Sequence, residues 1–234
     1  MFIVGSVPLF AAGNPPVAKS KGEAGLQQLN RLKDAFPTEA TALCHKARTE
    51  YELGEKSKDM REKSNHFRQA EEFAQQAIKV DPKSGEGYKW LAIALGAQTE
   101  DVNVVSQIRL SRRVKENIDK TLSINPVDDI ALLVLSRWHY KMASLEPWTR
   151  TFVKLIYGGD MPSASLEKAE SLLHKAIAIK DRISHRYSLA KVYYRMGRRE
   201  AALEQLRLAL TLPVTFAAES EDIEKARRKL KNWT

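Results

Sequence analysis

The chain has 234 residues, 43% of them hydrophobic and 29% charged, with a formal net charge of +9 and one cysteine, Cys44. That balance excludes a disordered chain, and a single cysteine excludes an intrachain disulfide framework. The charge is unevenly placed. Residues 1–102 carry 14 Lys/Arg against 14 Asp/Glu and residues 126–181 carry 7 against 7, whereas residues 103–125 carry 5 against 2 and residues 182–234 carry 12 against 6. A surplus confined to two segments favours acidic partners: an acidic protein tail, an anionic lipid surface or nucleic acid.

The chain opens with an apolar run, Phe2 to Ala12, followed by Gly13-Asn14-Pro15-Pro16. Residues 1–20 read as a signal-like or anchor-like segment with its linker, although the first cation is Lys19 and a basic n-region is missing. Removal as a signal would place the protein outside the cytoplasm of a bacterium; a eukaryotic chain would sit in the cytoplasm or on the cytoskeleton. No later stretch reaches the roughly eighteen apolar residues that a spanning helix needs.

Residues 21–234 read as one helical-repeat domain. The sequence GLQQLNRLKDAFP (25–37) has the pattern of the second helix of a leading half-repeat. Four later segments share one set of offsets: Ala70, Ala74, Ala77; Val114, Ile118, Thr121; Ala169, Leu173, Ala176; and Ala202, Leu206, Ala209. Offsets of four and three put the three side chains on one helix face, and small residues there let a second helix approach. Pro82, Pro126 and Pro213 follow three of the four, as stops. Each segment is preceded by a candidate first helix: 41–55 ending at Gly54, 87–96, 130–142, and 185–199 with Gly197 as its terminator. The last hairpin, 183–213, is close to the period of about 34 residues of tetratricopeptide repeats. In the others, residues 55–65, 97–106 and 144–165 read as extra material. ESEDIEKARRKLKNW (219–233) has a polar outer side and suits the cap of a solenoid. The expected fold is an all-α, tetratricopeptide-like superhelix of about nine or ten helices, with insertions between paired helices.

The largest insertion carries its own helix signal. Pro147 suits a first turn and Gly158-Gly159 an end. Trp148, Phe152, Leu155 and Ile156 fall at i, i+4, i+7 and i+8, an apolar stripe that must be buried. Three readings stand: the stripe packs on the repeat core; residues 147–157 roof an apolar groove lined by Trp90 and Trp138, with Trp148, Phe152 and Ile156 as the lid; or the helix touches a membrane surface.

Tyr88-Lys89-Trp90, then Lys115, Glu116, Lys120, Asn125 and Pro126, then Trp138, Tyr140, Pro147, Trp148, Pro162 and Ser163 together resemble the marks of the regulator of microtubule dynamics family. The resemblance covers about residues 38–215 and also extends to compact bacterial relatives. It implies a divergent tetratricopeptide-like domain, a non-enzymatic role, and association with microtubules. It also implies, from one branch, membrane-contact tethering with phospholipid binding or transfer.

No enzymatic constellation appears. His45, His66, His139, His174 and His185 form no metal-ligand spacing, and neither a phosphate-binding loop nor a nucleophile elbow is present. Cys44 and His45 point about 100° apart on a helix, and Asp128-Asp129 read as a helix cap rather than a metal site. No cofactor or metal is expected. The candidate partner-binding residues are the basic clusters Arg109, Arg112, Arg113 and Lys115, and Arg227, Arg228, Lys229 and Lys231, matched to an acidic protein such as the tubulin tails. Phospholipid is the alternative ligand, its head group held by Arg109, Arg112 or Arg113. Nucleic acid is disfavoured because aromatics are not interleaved with these charges.

Overall fold

The computed structural model describes residues 38–99, 102–157, 163–216 and 218–233. The expected signal-like segment, its linker, the leading half-repeat and Gly158-Gly159 lie outside them. Among the described residues there are ten α-helices and no strand. They are α1 (Glu39–Lys56), α2 (Met60–Val80), α3 (Gly85–Ala97), α4 (Val104–Ile124), α5 (Asp129–Ala143), α6 (Pro147–Ile156), α7 (Leu166–Ile179), α8 (Ile183–Arg195), α9 (Arg199–Ala209) and α10 (Ala218–Trp233).

Local chemistry sets the helix starts. Asp59, Ser84, Asn103, Asp128 and Ser165 each turn a side-chain oxygen onto a backbone N–H of the first turn of α2, α3, α4, α5 and α7. Such bonds satisfy donors that would otherwise be orphaned. Pro147 opens α6 at a position where its missing N–H costs nothing. Gly197 closes α8 with φ +77°, the only positive φ among the described residues. Pro82 and Pro126 stand two residues beyond the ends of α2 and α4.

The helices pair as antiparallel hairpins α1–α2, α3–α4, α5–α7 and α8–α9. Each second helix also packs on the first helix of the next hairpin, and α10 caps α8 and α9. The expected repeat face is the packed face. Ala70, Ala74, Ala77, Ile118, Ala169, Leu173, Ala176, Ala202, Leu206 and Ala209 are all fully buried, and Val114 and Thr121 nearly so. One core joins Ala47, Ala74, Leu91, Leu95, Val114, Ile118 and Leu135 across the first five helices. A second joins Leu133, Leu173, Leu189, Val192 and Ala202. Tyr187, Ala190, Leu206 and Ala226 seat the cap. Glu219, fully buried, accepts from the backbone N–H and hydroxyl of Thr215 and from the N–H of Phe216, which ties the segment before α10 to its first turn.

Three boundaries differ from the sequence reading. The first two hairpins owe their length to long helices rather than to long loops: only residues 57–59 separate α1 from α2, and 98–103 separate α3 from α4. Gly54 does not end α1, which continues to Lys56. A Cβ at Gly54 would stand 2.6 Å from Cε1 of Phe67, so the glycine makes room for α2.

The third difference is in α6. Its buried side chains are Val153 and Tyr157, with Ile156 partly covered, while Leu155 is 76% exposed. The side chains of Trp148 and Phe152 lie outside the described residues. Leu155 of the expected stripe is off the covered side, which among the described side chains runs through Val153, Ile156 and Tyr157. These residues pack with Ile108 of α4 and with Trp138 and Met142 of α5.

Candidate functional site

The first helices of the hairpins share a second face that is not spent on pairing. In α1 it carries Cys44, Arg48, Tyr51, Glu52 and Glu55. In α3 it carries Glu86, Lys89, Trp90 and Ile93, and in α5 Ile130, Val134, Arg137 and Lys141. In α8 it carries Ser184, Tyr187 and Lys191. These offsets of three, four and seven each trace one stripe down a helix. Together with Asp222 and Lys225 of α10 the stripes line a concave groove enclosing about 830 Å³.

The groove is cationic in sum. Its lining has nine Lys/Arg (48, 63, 89, 137, 141, 180, 182, 191, 225) against six Asp/Glu (52, 55, 86, 129, 221, 222). Most of these charges are used structurally. Lys89 is buried between Glu86 and Asp128, 2.8 Å from the latter. Burial opposes its charge, but the two carboxylates outweigh it and hold its pKa above the ordinary value. Arg182 pairs with Asp129 at 2.5 Å and lies over the Phe216 ring. Asp222, itself buried, accepts from Ser184 at 2.7 Å and from Arg137 at 3.2 Å. Arg137 also donates to Ser188.

Lys191 is treated differently. Its ammonium lies 5.4 Å from the ring centroid of Tyr140 and 5.1 Å from that of Tyr187. Among the described residues it makes no ion pair. Burial, then the nearby Arg137, lowers its pKa to about 8. The Tyr187 phenol is pushed up to about 12, and that of Tyr51 higher still, by burial and nearby carboxylates.

Of the residues singled out in sequence, Trp90 lines the groove and Trp138 borders it from the core. No described residue of α6 lines it; Ile156 packs instead against the cluster at α4 and α5. The basic clusters lie on α4 and α10, which are not brought together: α4 packs on α3, α5 and α6, and α10 on α8 and α9. Arg113 pairs with Glu71 at 2.8 Å, Arg112 with Glu116 at 2.9 Å, and Lys115 with Asp119. Arg227 pairs with Glu224, and Lys229 lies over the Trp233 ring. Arg109 and Arg228 are exposed. Cys44 is buried, with its thiol pKa raised by burial, and Asp128 caps α5 as expected. Among the described residues no group of three or more His, Cys, Asp or Glu is placed to hold a metal ion.

The marks quoted from the sequence prove to be struts of this wall. The Trp90 indole N–H donates to Glu86 at 3.0 Å, beside the buried Lys89. Lys115 lies 5.4 Å over Trp138, and Tyr140 faces Lys191. The profile of regulator of microtubule dynamics proteins 1–3 matches residues 16–234. The chain belongs to the regulator of microtubule dynamics family.

Among curated proteins it is 27% identical over 191 residues to regulator of microtubule dynamics protein 3 of Xenopus laevis, covering 81% of this chain and 41% of that one. The Rattus norvegicus protein 3 is 25% identical over 193 residues, covering 82% and 41%. The chain thus spans about two fifths of the length of these relatives. Among solved structures, a thermophilic tetratricopeptide protein of Thermus thermophilus superposes with a TM-score of 0.54 at 21% identity, covering 90% of this chain and 89% of that one. This likeness establishes the fold: a tetratricopeptide-like superhelix. The relatives are named as regulators of microtubule dynamics, and this fold is compatible with a helical scaffold.

The sequence reading did not single out Tyr51, Arg137, Lys141, Lys191 or Asp222. A signal was present in α5, IALLVLSRWHYKM: in a helix otherwise buried on both packing sides, Arg137 and Lys141 stand four apart, in line with Ile130 and Val134. Charges on the stripe left over after the two packing faces are assigned mark the concave side.

Proposed function

We propose that this protein is a non-enzymatic binding module that takes an acidic segment of a partner protein into its concave groove. The observation that carries this reading is the surplus of cations over carboxylates in a groove that also offers Tyr51, Trp90 and Tyr187 as apolar contact surface. An extended chain threads between first helices without displacing any core contact. Its carboxylates meet Lys and Arg while its backbone lies on aromatic faces. The relatives named as regulators of microtubule dynamics make the acidic tails of tubulin the natural partner class. The outer clusters, Arg109, Arg112, Arg113 and Lys115 on α4 and Arg227, Arg228, Lys229 and Lys231 on α10, steer such a partner at long range through their net charge, although Arg112, Arg113, Lys115 and Arg227 are paired with neighbouring carboxylates.

The test is co-sedimentation with microtubules before and after proteolytic trimming of the tubulin tails. Binding to intact microtubules that is lost on trimming supports the reading; equal binding to both contradicts it. The apolar residues Trp90, Ile93, Ile130 and Val134 in the same groove support a second reading, in which the ligand is a phospholipid. Native mass spectrometry of protein from its host separates the two: a co-purifying mass in the phospholipid range supports the second, and its absence alongside tail-dependent sedimentation supports the first.

A further inference from the structure

Several cations of the groove are spent on neighbouring carboxylates: Lys89 on Glu86 and Asp128, Arg182 on Asp129, Arg137 on Asp222. Lys191 is not. It stands at the middle of α8, its stem half-buried and its ammonium set over the faces of Tyr140 from α5 and Tyr187 from its own helix. The charged groups facing it are Arg137 of α5 and Asp222, Lys225 and Lys229 of α10. Three of the four are cations, and Asp222 is already engaged by Ser184 and Arg137. A ring face attracts a cation but offers it no hydrogen-bond acceptor. The three donors of an ammonium in such a place are left for a ligand.

We infer that Lys191 is the anchor of the groove, a site for one carboxylate of an acidic ligand, seated between Tyr140 and Tyr187 on the concave side. This deepens the binding reading above and rests on it for the identity of the ligand as a protein segment. The neighbourhood fixes a consequence. Burial and the surrounding cations hold the pKa of free Lys191 at about 8. A bound carboxylate lies within a few ångströms of the ammonium and favours the charged form, so the pKa rises on binding. Above pH 8 the complex must therefore take up a proton that the free protein lacks.

The experiment uses the full chain and two probes. The first is a short glutamate-rich peptide carrying a fluorophore, titrated between pH 7 and pH 9. Its affinity is expected to fall about tenfold across that range, as the ammonium fraction of a group titrating near pH 8 falls by that factor. Lys191→Arg, which keeps its charge throughout, flattens the profile, and Lys191→Met is weak and flat. A wild-type profile as flat as that of Lys191→Met, with equal affinity, overturns the inference while leaving peptide binding to the groove intact.

The second probe is glutarate, which needs no more of the groove than this one site. The Lys191 side-chain resonances, assigned with Lys191→Arg as the blank, are titrated without and with it. An upward shift of the midpoint supports the carboxylate site, and an unmoved midpoint overturns it. A shift with glutarate but no binding of the peptide retains the site and removes the protein-segment reading instead.

Discussion

At the scale of single residues, burial decides which groups are charged. His139 is 7% exposed, its Nδ1 makes no hydrogen bond, and its imidazole stands edge-on to Trp138. Burial, with Lys115 and Lys168 beside it, lowers its pKa from 6.5 to about 4. Above pH 6.5 the ring is neutral in folded and unfolded chains alike. Between 6.5 and 4 only the unfolded chain takes up the proton, so stability falls as pH falls, and the loss is complete below 4. It amounts to about 2–3 kcal/mol, discounted for partial hydration. Urea unfolding of wild type and His139→Leu from pH 7 to pH 4 checks this: the wild type should lose that much more than the variant.

Gly54 makes a second prediction at this scale. Its Cβ position lies 2.6 Å from the Phe67 ring, so Gly54→Ala forces the ring aside and should cost about 1–3 kcal/mol, read as a lowered melting temperature. The buried Lys89–Asp128 pair makes a third. Asp128→Ala removes both the cap of α5 and a partner of a buried ammonium, whereas Asp128→Ser keeps the cap. Both should destabilise, and Asp128→Ala the more, by the ~1 kcal/mol that a cap is worth.

At the scale of elements, the second helices were legible because their packing leaves a strict mark. Where two helices approach closely on both sides, only small or branched residues fit. Thus the 70/74/77, 169/173/176 and 202/206/209 triplets carry both the fold and the register. The bounds of α1 and α2 were less legible. Residues 55–65 are polar, which suits an exposed helix surface as well as a loop. Leu155 was placed on the covered side of α6 for a similar reason. Leu155 and Ile156 are adjacent and both apolar, and only contact with Ile108 and Trp138 decides which one is covered.

That contact makes α6 a brace between α4 and α5. Val153→Ala should cost on the order of 2 kcal/mol by lost transfer and cavity terms and leave groove binding unchanged. A thermal melt read beside a peptide titration separates this from a lid, whose loss would alter binding.

At the scale of the whole molecule, the groove was the least legible part. Its residues come from four hairpins and the cap, and no local spacing joins Tyr51 to Arg137 or Lys191 to Asp222. The two outer basic clusters stood out in sequence because their charges are contiguous, yet folding pairs Arg112, Arg113, Lys115 and Arg227 with neighbouring carboxylates. A groove with a cation surplus should bind an acidic peptide less well as salt rises from about 50 to about 300 mM.

The central claim is that the concave face, not the outer clusters, holds the acidic ligand. The most direct measurement compares the affinity of one fluorescent glutamate-rich peptide for two charge reversals of equal size, Lys141→Glu with Lys191→Glu in the groove, and Arg109→Glu with Arg228→Glu outside it. The account predicts a loss of about tenfold or more for the groove pair and a change within about threefold for the outer pair. An outer pair that abolishes binding while the groove pair leaves it unchanged would contradict it.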